Sequence, residues 1–207
     1  MPDLRDEPVE VDVLSSTREF EGRVWDIRRE RFAIAGTEVV RDFVDHTGAV
    51  AVLAMDDEDN VLLIQQYRHP VRSRDWELPA GLLDIAGEDP LTAAQRELAE
   101  EADLVAQRWD VLSDIMVSPG GSSEVIRVYL ARGVSAAADA FERTEEEAEI
   151  VLRWVPLDDA VESVLTRAVQ NAILCVAVLA ADASRAREWS TLSDPRSAWP
   201  QHPTLGR

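Results

Sequence analysis

Cysteine is almost missing from this 207-residue chain: Cys175 stands alone, inside the apolar run 172–181. One thiol cannot close an intramolecular disulfide, and its apolar neighbours mark it as a core side chain rather than a nucleophile. Long apolar runs are missing too. No stretch approaches the ~20 consecutive residues that cross a bilayer, and the start, Met1-Pro2-Asp3-Leu4-Arg5-Asp6-Glu7, carries no apolar signal core. A cytoplasmic protein without a membrane partner is the expectation. Positive charge is scarce: 21 Lys and Arg against 40 Asp and Glu leave a formal net charge of -19, which excludes general attraction to nucleic acid or anionic lipid. His46, His69 and His202 show no metal-ligand spacing, and no internal repeat is visible.

What is present is a β-rich chain with one strong helix in its middle. Alternation predicts strands over 9–15, 20–27 and 31–34, a small antiparallel unit, followed by 37–45, 48–55 and 61–68, with an acidic turn at 56–60. After the helix come strands at 109–117 and 125–132 around the loop 118–123. Residues 136–149 are acidic and poor in bulky apolar side chains, so they read as a mobile loop, and a strand at 150–155 closes the sheet. Helical sequence then runs from Pro156 to about Ala186 with a break near Thr166. The expected organisation is a β-rich dimerisation segment over 1–45, a catalytic domain over 46–187 and a loosely held tail over 188–207, which has three prolines and few apolar residues.

The chemistry concentrates between Gly81 and Leu104. Asp89 and Pro90 suit an N-cap and first helical residue, and Leu91, Ala94, Leu98 and Ala102 recur at helical spacing as a core-facing stripe. Glu97 and Glu101 then lie one turn apart with Glu100 beside them, so three carboxylates share a face on which they repel one another. A solvated acidic face is the bland reading. A bound hard cation is the sharper one, because Mg²⁺, with Mn²⁺ as the alternative, takes a few carboxylate oxygens, waters and substrate phosphate oxygens.

These residues resemble the Nudix box, in which a glycine and a glutamate precede Arg-Glu-aliphatic-x-Glu-Glu and a closing glycine. Gly81 opens it, Arg96-Glu97-Leu98-Ala99-Glu100-Glu101 forms its core and Leu104 closes it. Two departures stand out: Gly87 pushes the first glutamate one place on to Glu88, and Asp103 replaces the closing glycine, which requires a left-handed or tight turn from Asp103. Within that family the chain is similar to the ADP-ribose pyrophosphatase branch. The likeness rests on Gln66-Tyr67-Arg68-His69, on Trp76-Glu77-Leu78-Pro79-Ala80-Gly81, and on the acidic cluster 145–149 before Trp154-Val155-Pro156.

The resemblance implies an α/β fold, a mixed β-sheet sandwiched between helices, with the N-terminal antiparallel strands exchanged in a homodimer. It implies Mg-dependent hydrolysis of ADP-ribose to AMP and ribose 5-phosphate. Glu97, Glu100, Glu101 and the Ala80 carbonyl stand at its metal positions. Glu147 stands at the position of the loop base, with Glu146 as the neighbouring alternative. Arg68 falls beside the phosphate site, Glu77 and Gly81 are further substrate-binding positions, Ser122 and Glu124 fall at the ribose side, Trp25 where an aromatic stacks on adenine, and Arg41 where a partner-supplied arginine approaches. Hydrolysis of another nucleoside diphosphate derivative, a nucleotide sugar or an oxidised nucleoside diphosphate, is the alternative, because a metal helix recognises diphosphate rather than what is attached to it. A non-hydrolytic sensing module is the other, disfavoured by the intact Arg-Glu core.

Overall fold

The computed structural model describes residues 4–138, 141, 149–203 and 205. In chain order these form β1 (Asp12–Phe20), β2 (Asp26–Ile34), β3 (Thr37–Asp45), β4 (Ala49–Met55), β5 (Asn60–Arg68), β6 (Ser73–Glu77), β7 (Ala80–Leu82), α1 (Pro90–Ala102), β8 (Leu104–Met116), β9 (Val125–Ala136), β10 (Val151–Pro156), α2 (Leu157–Leu165) and α3 (Ala172–Arg185). They fall into two compact units. Among the described residues no helix is long and apolar enough to cross a membrane.

The first unit comprises 1–48, 116–125 and 198–207. Its sheet, β1-β2-β3, is antiparallel throughout. Charge dominates these strands, and pairing across the sheet cancels it: Arg29 meets Asp42 and Glu19, Arg31 meets Glu38, and Arg28 meets Asp45. Such pairs explain why the observed strand bounds differ from those that alternation predicts. Charged residues that look like strand ends in one dimension are cross-strand partners in two, so β1 continues to Phe20 and β2 begins at Asp26. Phe20, Val24, Ile34 and Val40 nevertheless remain exposed, an apolar surface that a solitary sheet of this size has no internal means of covering.

The second unit comprises 49–115 and 126–197. Its strands run in the order β10-β5-β4-β9-β8, with β6 added to β5 and β7 to β4. Strand β4 pairs parallel with β9 and antiparallel with β5 and β7, so the sheet is mixed. Every residue of β4 is buried, which requires cover on both faces. On one face Val50, Val52, Ala54, Leu62, Tyr129 and Ala131 pack with Leu91, Ala94 and Leu98 of α1. Helices α2 and α3 bury Leu157, Ala160, Leu174, Ala177, Val178 and Ala181. The gap between those two helices lies where Thr166 predicts it, and Asn171 caps the second by accepting the Leu174 N–H. The helix-sandwiched mixed sheet expected from the motif is the observed architecture.

Two local expectations change. Pro79-Ala80-Gly81 reads as a turn, yet Ala80–Leu82 is a strand paired with Ala49, Val50 and Ala51 of β4, so the start of the motif is built into the sheet. The tail residues 188–197 are anchored rather than loose: Ser193 bridges Val111, Tyr129 donates to the Pro195 carbonyl, and buried Arg127 pairs with Asp114 and donates to the Ser197 carbonyl. Backbone acceptors hold this segment, which composition cannot reveal.

Candidate active site

Helix α1 is fixed at both ends by its own sequence. Asp89 caps it, accepting from the Leu91 and Thr92 N–H groups, and Pro90 occupies the first turn. Asp103 ends it in the left-handed region, φ 53°, with its N–H directed to the Ala99 carbonyl. With Leu91, Ala94, Leu98 and Ala102 buried, the rotation of the helix is set, and its glutamates are brought against β7. A Cβ on Gly81 would lie 1.9 Å from Glu97 Oε1. Glycine is thus demanded by the approach of a carboxylate to the strand. Glu101, itself buried, accepts the Ala80 N–H through Oε2 at 2.8 Å. Glu97, Glu101, Ala80 and Gly81 therefore share one small volume.

The repulsion expected among the three glutamates is relieved from within the chain. Arg96 donates to Glu97 Oε1 at 2.6 Å and Glu100 Oε2 at 3.0 Å, and bonds both oxygens of Glu88 at 3.0 Å. Its hydrogen bonds to Glu88 are the largest cause of an affinity for the proton held above the usual arginine range, and Glu97 and Glu100 add to it. A bound cation is thus not the only thing that can excuse this acidic face, a correction to the expectation from spacing alone. The helix has its own counter-charge, and the face is ordered before any ion arrives.

On β5 and β6, Arg68 and Glu77 are brought together as a bidentate pair, 2.9 and 2.7 Å, with Glu77 buried and Arg68 nearly half exposed. The two residues assigned separately to ligand binding are thus one device, in which the buried carboxylate sets the plane of an exposed guanidinium.

In the first unit the structure gathers Trp25 and Glu124 around His46. The Trp25 and His46 rings stack at 4.2 Å with 19° between their planes. His46 Nε2 lies 3.3 Å from Glu124 Oε1, while Nδ1 accepts the Gly48 N–H at 3.0 Å. Ser122 supports the same loop, its Oγ accepting the Glu124 N–H. Arg41 stands opposite Glu30 on β3, exposed, with its guanidinium on the Val40 carbonyl. Burial pushes the Glu124 carboxyl up and the His46 imidazolium down in pKa.

Comparison with known proteins settles the family. A model described as the NUDIX domain matches residues 45–174. The chain belongs to the Nudix family. It is 43% identical over 173 residues to an ADP-ribose pyrophosphatase of Mycobacterium tuberculosis, covering 83% of each chain. It is 36% identical over 160 residues to an ADP-ribose pyrophosphatase of Bacillus subtilis, covering 77% of this chain and 85% of the relative. A solved ADP compounds hydrolase shares the fold, with a TM-score of 0.71 over 89% of this chain and 96% of that one at 20% identity.

Both departures from the Nudix box have structural explanations. Gly87 adopts φ +83°, so the added residue is absorbed by a turn open to glycine, and Glu88 still reaches Arg96. Asp103 supplies the left-handed cap in place of glycine. A divalent cation fits the donor chemistry of the Nudix helix: hard carboxylate oxygens from Glu97 and Glu101, crowded against β7 in space that any larger residue at position 81 would fill. Among the described residues no three Asp, Glu, His or Cys side chains are arranged to hold a metal ion; Glu97 and Glu100 instead bond Arg96. Glu146 and Glu147, assigned from sequence as bases, lie outside the described residues. Sequence reasoning missed two members: Arg96 as internal counter-charge, which the motif's own arginine signals, and His46, which has no spacing to betray it.

Proposed function

We propose that this Nudix protein hydrolyses the diphosphate of ADP-ribose to AMP and ribose 5-phosphate with Mg²⁺. The observation that carries the reading is the carboxylate-to-strand contact: Glu97 in the space beside Gly81 and Glu101 on the Ala80 N–H. The relatives named for this activity support the choice of substrate. Glu97, Glu101, Glu100 and the Ala80 carbonyl would hold the ion. When bound, Mg²⁺ neutralises diphosphate charge and makes water more acidic. Arg96 holds Glu97 and Glu100 in place through its guanidinium. Arg68, oriented by Glu77, binds a phosphate oxygen by charge-assisted hydrogen bonds. Glu147, or Glu146 beside it, takes the proton of the attacking water. The water oxygen joins one phosphorus, the bridging P–O bond breaks, and its electron pair leaves with the other phosphate.

The protein acts as a homodimer in this reading, supported by the exposed apolar residues on β1 to β3; its mass in solution decides that point. The experiment for the activity is product release from ADP-ribose, ADP-glucose, UDP-glucose, NADH and oxidised guanosine diphosphate, with Mg²⁺ and with chelator. Preference for ADP-ribose that chelation abolishes is expected. Binding of ADP-ribose without turnover overturns hydrolysis, and turnover of another compound overturns the substrate.

A further inference from the structure

Asp103 does two things at the end of α1, and only one of them is the cap that a glycine would provide. The main chain closes the helix, the Asp103 N–H being directed to the Ala99 and Leu98 carbonyls at φ 53°. The carboxylate turns to another part of the chain. Strand β8 starts at Leu104 and pairs with β9, which ends at Ala136, so the segment leaving β9 meets the C-terminus of α1. There the Asp103 carbonyl accepts the Ala137 N–H at 2.8 Å, and Asp103 Oδ1 accepts the Phe141 N–H at 2.9 Å. A glycine at position 103 has no atom with which to make the second bond. Carboxylate acceptors give shorter and stronger hydrogen bonds than neutral oxygens. Phe141 is exposed, so burial of its ring does little to hold it, and the bonds from Asp103 supply the tether.

We infer that Asp103 is a positioning residue that ties the start of the segment carrying Glu146 and Glu147 to the C-terminus of the Nudix helix. The departure from the family's closing glycine is then a functional device of this chain. The inference rests on the reading of Glu147 or Glu146 as the base. Position 103 is a junction for that reading: Glu101 stands two residues before it on α1, and Glu146 and Glu147 follow Phe141 by five and six residues in the sequence. A base has to stand within hydrogen-bond reach of the water whose proton it takes, and a misplacement of about 1 Å costs on the order of 100-fold in rate. A tether between the two acidic segments limits that misplacement.

Asp103→Gly isolates the carboxylate, because glycine suits φ 53° and the main-chain bonds to Leu98, Ala99 and Ala137 need no side chain. Asp103→Asn keeps a side-chain oxygen acceptor and also tolerates the left-handed region. The test measures ADP-ribose turnover, KM, the Mg²⁺ concentration for half-activation and hydrogen exchange at the Phe141 amide in the full chain and both variants. In Asp103→Gly, Phe141 exchange should quicken and kcat fall about tenfold each, the factor that follows from losing one hydrogen bond to a charged group, while KM, the Mg²⁺ requirement and thermal unfolding stay at the wild-type level. Asp103→Asn should restore both to within about threefold of wild type, since a neutral oxygen still accepts the bond, more weakly. Unchanged Phe141 exchange in Asp103→Gly overturns the tether. Faster exchange with wild-type turnover overturns the positioning role, and so does a loss shared by KM and the Mg²⁺ requirement, which places the damage in α1. Failure of Asp103→Asn to restore exchange and turnover overturns the role of the acceptor. Wild-type turnover in both Glu146→Gln and Glu147→Gln overturns the base reading instead, without any change at Asp103, and Phe141 exchange still decides the tether.

Discussion

Replacing Gly81 by alanine tests the carboxylate-to-strand contact with a single methyl group. The backbone at Gly81 is not in the left-handed region, so alanine meets no conformational penalty, and the whole effect is steric. The added Cβ would stand 1.9 Å from Glu97 Oε1, 2.0 Å from Cδ and 2.6 Å from Cγ. Real contacts of this kind do not fall below 3.0 Å, so the carboxylate must retreat by about 1 Å or more. The strand cannot yield instead, because Gly81 is in register with Val50 of fully buried β4. What moves is the end of a flexible side chain, so the stability cost stays near the low end of the ~1–3 kcal/mol typical of overpacking. A displacement of that size in a positioning group costs about 100-fold in rate. Turnover and the Mg²⁺ concentration for half-activation, measured beside thermal unfolding, separate the two effects. Gly81→Ala should unfold near the wild-type temperature, turn over about 100-fold more slowly and need more Mg²⁺. Glu101→Gln, which removes a charge while keeping an acceptor for the Ala80 N–H, should behave alike. A folded Gly81→Ala protein with turnover and Mg²⁺ requirement within a few-fold of wild type would refute the assignment of Glu97.

Two further outcomes follow from individual groups. Glu147→Gln should slow turnover while leaving ADP-ribose affinity in place, measured by calorimetry with Ca²⁺ replacing Mg²⁺; if Glu146→Gln is the damaging change, the base is one residue earlier. His46 predicts acid sensitivity with a definite sign. Burial lowers its folded-state pKa below 6.5, so the unfolded chain takes up the proton first, and stability present above that value is lost as pH falls through and below it. Urea midpoints compared at pH ~7.5 and ~5.5 should drop less in His46→Asn than in wild type, and an identical drop in the two would contradict a buried neutral imidazole.

Much of the site is legible in the sequence because it depends on short-range spacing. The i, i+4 relation of Glu97 and Glu101, the Asp89-Pro90 helix start and the buried stripe of Leu91, Ala94 and Leu98 are local consequences of helix geometry, and the fold contains each of them. The left-handed turn required of Asp103 is equally local. The sandwiched mixed sheet is accessible only through the resemblance to the Nudix family that the motif and the order of elements carry, not through spacing.

Only tertiary structure decides how distant residues meet. That Ala80–Leu82 is a strand depends on β4, about thirty residues earlier in the chain, and only that pairing explains why position 81 has no room for a side chain beside Glu97. Arg96, bonded at once to Glu88, Glu97 and Glu100, sets a positive charge among the carboxylates and relieves part of their repulsion. The tail reads as loose because its anchors are carbonyls that accept from Arg127 and Tyr129 rather than apolar side chains. His46 shows the limit most plainly: a lone histidine has no periodicity, and its neutral, stacked state is the product of Gly48, Glu124 and Trp25 converging from three parts of the chain. Sequence determines what local geometry can carry, whereas burial and long-range pairing set the charge, the plane and the partner of each side chain.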